Sequence, residues 1–138
     1  MSVDRLHVDS SFVIDLLRER TAKGSRPATR RLEELADVTL VASVFVACEL
    51  EAGTLLARDA RAERRRIDAL LHTIGVQYPD ERLPPTYARL YAELYRRGQR
   101  IPAVDLFIAS MAVADNVPLL TRNVRDFERV PGLTVMSY

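Results

Sequence analysis

The sequence predicts an α/β fold built on a central, mostly parallel sheet of about four to five strands. Three observations point there. Short apolar stretches alternate with longer helical ones from Arg5 to Ser137, the pattern of strands joined by helical crossovers. The stretches "VTLVA" and "VPLLT" are apolar at successive positions, as parallel strands covered on both faces require. No linker, repeat or low-complexity segment divides the 138 residues, so residues 1–138 are expected to form a single domain.

Each element has a local cause. "RLHVD" (5–9) reads as a strand ending in Asp9, and Ser10 or Ser11 can cap the helix "FVIDLLRER". "TAKGSRPATR" is a polar loop whose Pro27 suits the first turn of a second helix through about Ala36. "VTLVA" (38–42) is a buried strand, and Ser43 caps the long helix "VFVACELEAGTLLARDA". Residues 61–72 form an arginine-rich helix and "TIGVQY" (73–78) a third strand. After Pro84 and Pro85, an amphipathic helix aligns Leu83, Tyr87, Leu90, Tyr91 and Leu94 on one face, and Gly98 ends it. A helix at about 103–115 follows, then the strand "VPLLT" (117–121), the turn "RNVRDF" and a last strand "LTVMS" (133–137).

Bulk properties narrow the function. No apolar run reaches 18 residues, so no membrane span is expected. The start "MSVDRLHVDSS" lacks the apolar stretch of a signal peptide, and the single cysteine, Cys48, suits a reducing compartment, so a cytoplasmic protein is expected. Cys48 itself reads as a core filler. No G-x-x-x-x-G-K-[ST] loop and no G-x-G-x-x-G turn is present, which excludes a P-loop nucleotidase and argues against a dinucleotide site. His7 and His72 are too few for a zinc centre. Nineteen of the 20 basic residues are arginine, a side chain suited to phosphate. The run Arg61, Arg64, Arg65 and Arg66 reads equally as an RNA-backbone track or a solvated face.

The acids carry the chemistry. "IPAVDLFIAS" (101–110) sets Asp105 at the mouth of an apolar helix, where ionising an acid is expensive unless something compensates it. A first-turn acid can be a mere helix-start residue. However, Asp9 closes the first strand, Glu49 lies six residues past Ser43, and "TRNVRDF" leaves the fourth strand. In open parallel sheets this rim is where ligands bind. Carboxylates facing one cleft repel unless cations bridge them, and hard oxygen donors favour Mg²⁺ or Mn²⁺.

Four segments, "HVDSSFVIDLL", "SVFVACELEAG", "IPAVDLFIASMA" and "LLTRNVRDFERVPGL", together span almost the whole chain. In them the chain resembles the PIN domain, and in detail the VapC-type toxins of bacterial toxin–antitoxin pairs. The resemblance implies a PIN-like three-layer α/β/α fold and a metal-dependent endoribonuclease. It also implies inhibition by a cognate VapB-like antitoxin, and a homodimer. Asp9, Glu49 and Asp105 match the family's three core acids. The fourth acid commonly lies two residues after the threonine matching Thr121, where this chain has Asn123. Related toxins ending in "TRNxRDF" place it at Asp126, which is therefore the candidate, with Asn123 a neutral ligand in reserve. On this reading Asp9 and Asp105 are the primary ligands of Mg²⁺, for which Mn²⁺ can substitute. Glu49 orients or deprotonates the water, or reaches the metal through one, and Asp126 completes a second site. Ser10 and Thr121 hold these groups in place, and Arg122, Arg125 and Arg129 are candidate contacts to RNA phosphates.

Asp15 is expected to be solvent-facing or salt-bridged, and Tyr87, Tyr91 and Tyr95 to be core or dimer surface. The rival from another class is a non-catalytic PIN-like module that binds RNA or protein, and Asn123 is the feature in its favour.

Overall fold

The computed structural model describes residues 3–138. Five strands, β1 (Arg5–Val8), β2 (Thr39–Ser43), β3 (Val76–Gln77), β4 (Leu119–Leu120) and β5 (Val135–Met136), form one sheet in the order β3-β2-β1-β4-β5. Every pairing is parallel. Flanking them are α1 (Ser10–Glu19), α2 (Pro27–Glu34), α3 (Val44–Leu56), α4 (Ala60–Ile74), α5 (Leu83–Arg96), α6 (Ala103–Asp115) and the single turn α7 (Val124–Phe127). The chain builds outward from β1 to β3 on one side, then returns to lay β4 against the other side of β1. The switch point of the sheet therefore lies between β1 and β4, where Asp9 and Thr121 leave their strands.

Burial follows strand and helix periodicity. Leu6 and Val8 of β1 and Leu119 and Leu120 of β4 are fully buried, with Phe12 and Val13 of α1 packed in the same core. α6 buries Leu106, Ile108, Ala109, Ser110, Met111 and Ala112 in near succession, the mark of a helix enclosed on most sides. Among the described residues no helix is long and apolar enough to cross a membrane.

Several boundaries differ from those the sequence suggests, each for a local reason. The third strand shrinks to two residues because α4 continues through "TI", burying Ile67, Leu70 and Ile74 along one face, and stops at Gly75 with φ +87°. The helix expected to run to Ala60 ends at Leu56, and Asp59 caps a new helix by accepting from the amide of Ala62. α2 stops at Glu34 rather than Ala36; its start is held by the carboxylate of buried Glu19, which accepts from the amides of Ala28 and Thr29. The cap of α1 is Asp9 itself, with Ser10 already helical. Cys48 is exposed and not a core filler; α3 buries Val46, Leu50 and Thr54, and Cys48 points away from that face.

Candidate active site

Asp9 sits where β1 hands over to α1, 5% exposed, with both carboxylate oxygens engaged. Oδ1 accepts from the amide of Ser10 at 2.8 Å; Oδ2 accepts from the hydroxyls of Thr121 at 2.7 Å and Ser11 at 3.1 Å. The backbone amide of Asp9 donates to the carbonyl of Leu120 at 2.9 Å, so the β1–β4 ladder brings Thr121 to Asp9. Ser11 read as a helix cap only. The signal for its larger role is a hydroxyl two residues after the acid that starts the helix, close enough to turn back onto it.

Glu49 lies on α3, whose start is fixed by the Ser43 hydroxyl accepting from the amide of Val46. The Ser10 hydroxyl donates to Glu49 Oε1 at 2.9 Å, which ties this acid to the end of β1. Asp105 stands in the first turn of α6, directly after Pro102 sets the helix entry. Burial pushes its carboxyl up to about 6, and the neighbouring charges of Asp9, Glu49 and Asp126 push the same way. Burial also raises Glu49, with the Ser10 hydrogen bond opposing and the charge of Asp9 adding to it. The four acids thus share one electrostatic neighbourhood at the carboxyl edge of the sheet.

Asn123 and Asp126 are partners and not alternatives facing different ways. Asn123 Nδ2 donates to Asp126 Oδ2 at 3.2 Å, and the amide of Asn123 donates to Thr121 Oγ1 at 2.9 Å. Arg129 approaches the other oxygen of Asp126 at 3.9 Å. Arg122 donates from one nitrogen to both oxygens of Asp15 at 2.9 Å each, so Asp15 is salt-bridged and buried. Arg125, on α7 next to Asp126 in sequence, is exposed. On α4, Arg64 pairs with Glu51 and Arg66 with Glu63.

The donor set is all carboxylate oxygen, with hydroxyls behind it and neither His nor Cys among its members, which suits a hard divalent cation. Among the described residues no three His, Cys, Asp or Glu side chains are gathered tightly enough to hold an ion as they stand. Burial first, and then the charges of Asp9, Glu49 and Asp126, raise the carboxyl of Asp105, and a bound cation would relieve both. From Glu49 a cavity of about 380 Å³ runs between α1, α3 and α4, with Ile14, Leu17, Leu50 and Ile67 in its lining and Arg18, Arg20 and Arg66 at its edges.

The family model described as "PIN domain" matches residues 6–133. The chain is 29% identical over 134 residues to Ribonuclease VapC1 of Methanocaldococcus jannaschii, covering 97% of this chain and 87% of that protein. Its fold superposes on VapBC2 from Rickettsia felis bound to a promoter DNA fragment, with a TM-score of 0.87 at 24% identity, covering 97% and 98% of the two chains. It superposes on VapBC-1 from nontypeable Haemophilus influenzae with a TM-score of 0.84 at 27% identity, covering 96% and 97%.

Proposed function

The chain belongs to the PIN domain family, and from that premise we propose that it is a metal-dependent endoribonuclease, the cytoplasmic toxin of a type II toxin–antitoxin pair. It hydrolyses RNA phosphodiester bonds and is held inactive by a VapB-like antitoxin. The observation that carries this reading is the half-buried position of Asp105 beside Asp9, Glu49 and Asp126, where burial and then these charges push its carboxyl up to about 6. The name Ribonuclease VapC1 on a relative of nearly full length supports it.

Asp9 and Asp105 would hold Mg²⁺, or Mn²⁺ in its place, with Glu49 and Asp126 completing the set. Such an ion supplies an activated water near neutral pH and neutralises charge at phosphorus. The chain's own residues prepare that chemistry. Thr121, Ser11 and the Ser10 amide fix the orientation of Asp9. Ser10 occupies Oε1 of Glu49 and leaves Oε2 to take a proton from the attacking water; the raised pKa of Glu49 makes it a better base than an ordinary glutamate. Arg125, exposed on α7 next to Asp126 in sequence, is assigned to an RNA phosphate.

The cavity beginning at Glu49 suits the antitoxin, whose amphipathic segment would bury apolar side chains over Leu17, Leu50 and Ile67. An arginine from that segment would reach the acids in place of the metal. The solved VapBC assemblies of similar fold support such a partner. The homodimer is assigned to the α5 face, where Tyr91 and Tyr95 are 44% and 60% exposed and stack in line with Tyr87. A non-catalytic binding module is the second reading, favoured by the neutral Asn123 bonded to Asp126. Purified protein incubated with RNA decides between them: cleavage that requires Mg²⁺ and disappears in Asp9→Asn and Asp105→Asn supports the nuclease. Undiminished cleavage in both variants refutes the site.

A further inference from the structure

Behind the four acids, Asp15 joins three segments far apart in sequence. Its carboxylate, on α1, is 11% exposed and accepts from one Arg122 nitrogen through both oxygens. The Tyr138 hydroxyl donates to Oδ2 at 2.7 Å, and Arg18 stands at 3.7 Å on the solvent side. Ser11 lies one helical turn before Asp15, on the same face of α1. Its hydroxyl accepts from the Arg122 backbone amide at 3.2 Å and is itself bonded to Asp9. Arg122 is thus held on α1 at two points, its amide by Ser11 and its guanidinium by Asp15. The residue before it, Thr121, orients Asp9, and the residue after it, Asn123, holds Asp126.

We propose that Asp15 is a positioning residue of the nuclease. Through Arg122 it sets the turn after β4, and with it both the orientation of Asp9 and the placement of the Asn123–Asp126 pair. Arg122 then serves the site by anchoring this turn and not by binding RNA. The inference rests on the nuclease reading above. Groups that orient metal-site ligands from behind are worth about 10–100-fold in affinity or activity when removed. The exposed majority of the guanidinium does not weaken the anchor, because the carboxylate it meets is buried and leaving that charge unpaired is costly.

The test combines steady-state cleavage of an unstructured RNA oligonucleotide at saturating Mg²⁺ with amide hydrogen exchange of residues 121–127 in cation-free protein. Asp15→Asn should lower kcat about 10-fold or more with KM within about 2-fold, and should speed exchange in that turn. Arg122→Gln should do the same. Arg122→Lys should recover most of kcat, since a single nitrogen makes both contacts to Asp15 and an ammonium can replace it. Combining Asp15→Asn with Arg122→Gln should cost no more than the worse single change. Should Asp15→Asn fail to fold, the two variants of the exposed Arg122 carry the test. Wild-type kcat and exchange in Asp15→Asn would overturn the proposal. So would a raised KM with unchanged kcat in Arg122→Gln, which would make Arg122 a phosphate contact. If the unaltered protein cuts no RNA, the nuclease reading fails, and the exchange arm still decides whether Asp15 anchors the turn.

Discussion

Helix α6 carries an acid at each end, and the two are treated in opposite ways. Asp105 lies in its first turn, where the helix dipole favours a negative charge, and Asp115 closes its last turn, where the dipole opposes one. Burial raises both. Yet Asp105 rises to about 6, whereas Asp115 ends below the ordinary aspartate value of 3.8. The difference lies in what faces them. Asp115 receives His7 Nε2 and Gln77 Nε2 at 2.6 Å each and Arg82 at 2.8 Å, with Arg5 at 3.6 Å. Asp105 faces Asp9, Glu49 and Asp126. A dipole worth about 0.3–1 kcal/mol is outweighed by neighbours in both places. The protein supplies its own cations and donors to the structural acid, and sets carboxylates beside the other.

Removing the uncompensated acid should cost function and spare the fold. Asp9→Asn or Asp105→Asn should lower RNA cleavage by more than about 100-fold, the upper end for groups that only orient a ligand. Thermal unfolding of cation-free Asp105→Asn should be unchanged or improved, since burial and repulsion of its charge are relieved, whereas Asp9→Asn also disturbs the three donors that hold Asp9. Removing the compensated acid should do the reverse. Asp115→Ala leaves buried His7 and half-buried Gln77 without their acceptor and should destabilise by about 2 kcal/mol in urea unfolding. Cation affinity at the other end of α6 should be retained; loss of that affinity would show the two ends to be coupled.

The same contrast should appear with pH. Asp105 binds its proton more tightly folded than unfolded, so its contribution to stability is full below pH 3.8 and is lost as pH rises toward about 6. Asp115 has the opposite sign: its contribution is present above the ordinary value and lost as pH falls. Unfolding of cation-free Asp105→Asn across pH 4 to 6.5 should therefore show a smaller decline in stability than the unaltered protein, the remainder coming from Glu49. The smallest effect concerns the paired residues of α7. Asp126→Ala should weaken Mn²⁺ binding more than Asn123→Ala, and Asn123→Asp should tighten it by adding a charge. Unchanged affinity in Asp126→Ala would remove Asp126 from the set.

The contrast also separates what residue patterns reveal from what they hide. The parallel sheet and the first three acids were legible because strand ends and helix starts announce themselves locally: Asp9 after "RLHV", Glu49 six residues past its cap, Asp105 after Ile101–Pro102. The third strand lies within the expected 73–78, and only its start is hidden, because "TI" serves a helix or a strand equally until Gly75 ends one of them. The pairing of His7 with Asp115, and of Asp15 with Arg122 and Tyr138, spans more than a hundred residues each. Nothing local marks such partners, so a buried compensated acid reads like any surface aspartate. The bond between Asn123 and Asp126 was hidden for a different reason: a one-turn helix brings both to the same side.

Calorimetric titration of the cation-free protein with Mn²⁺, repeated in buffers of different ionisation heat, tests most directly whether Asp105 awaits a cation. Binding that releases a proton near pH 6, releases fewer as pH rises, and is lost in Asp105→Asn but kept in Asp115→Ala is the predicted result. No binding to the unaltered protein, or equal affinity in Asp105→Asn, would contradict it.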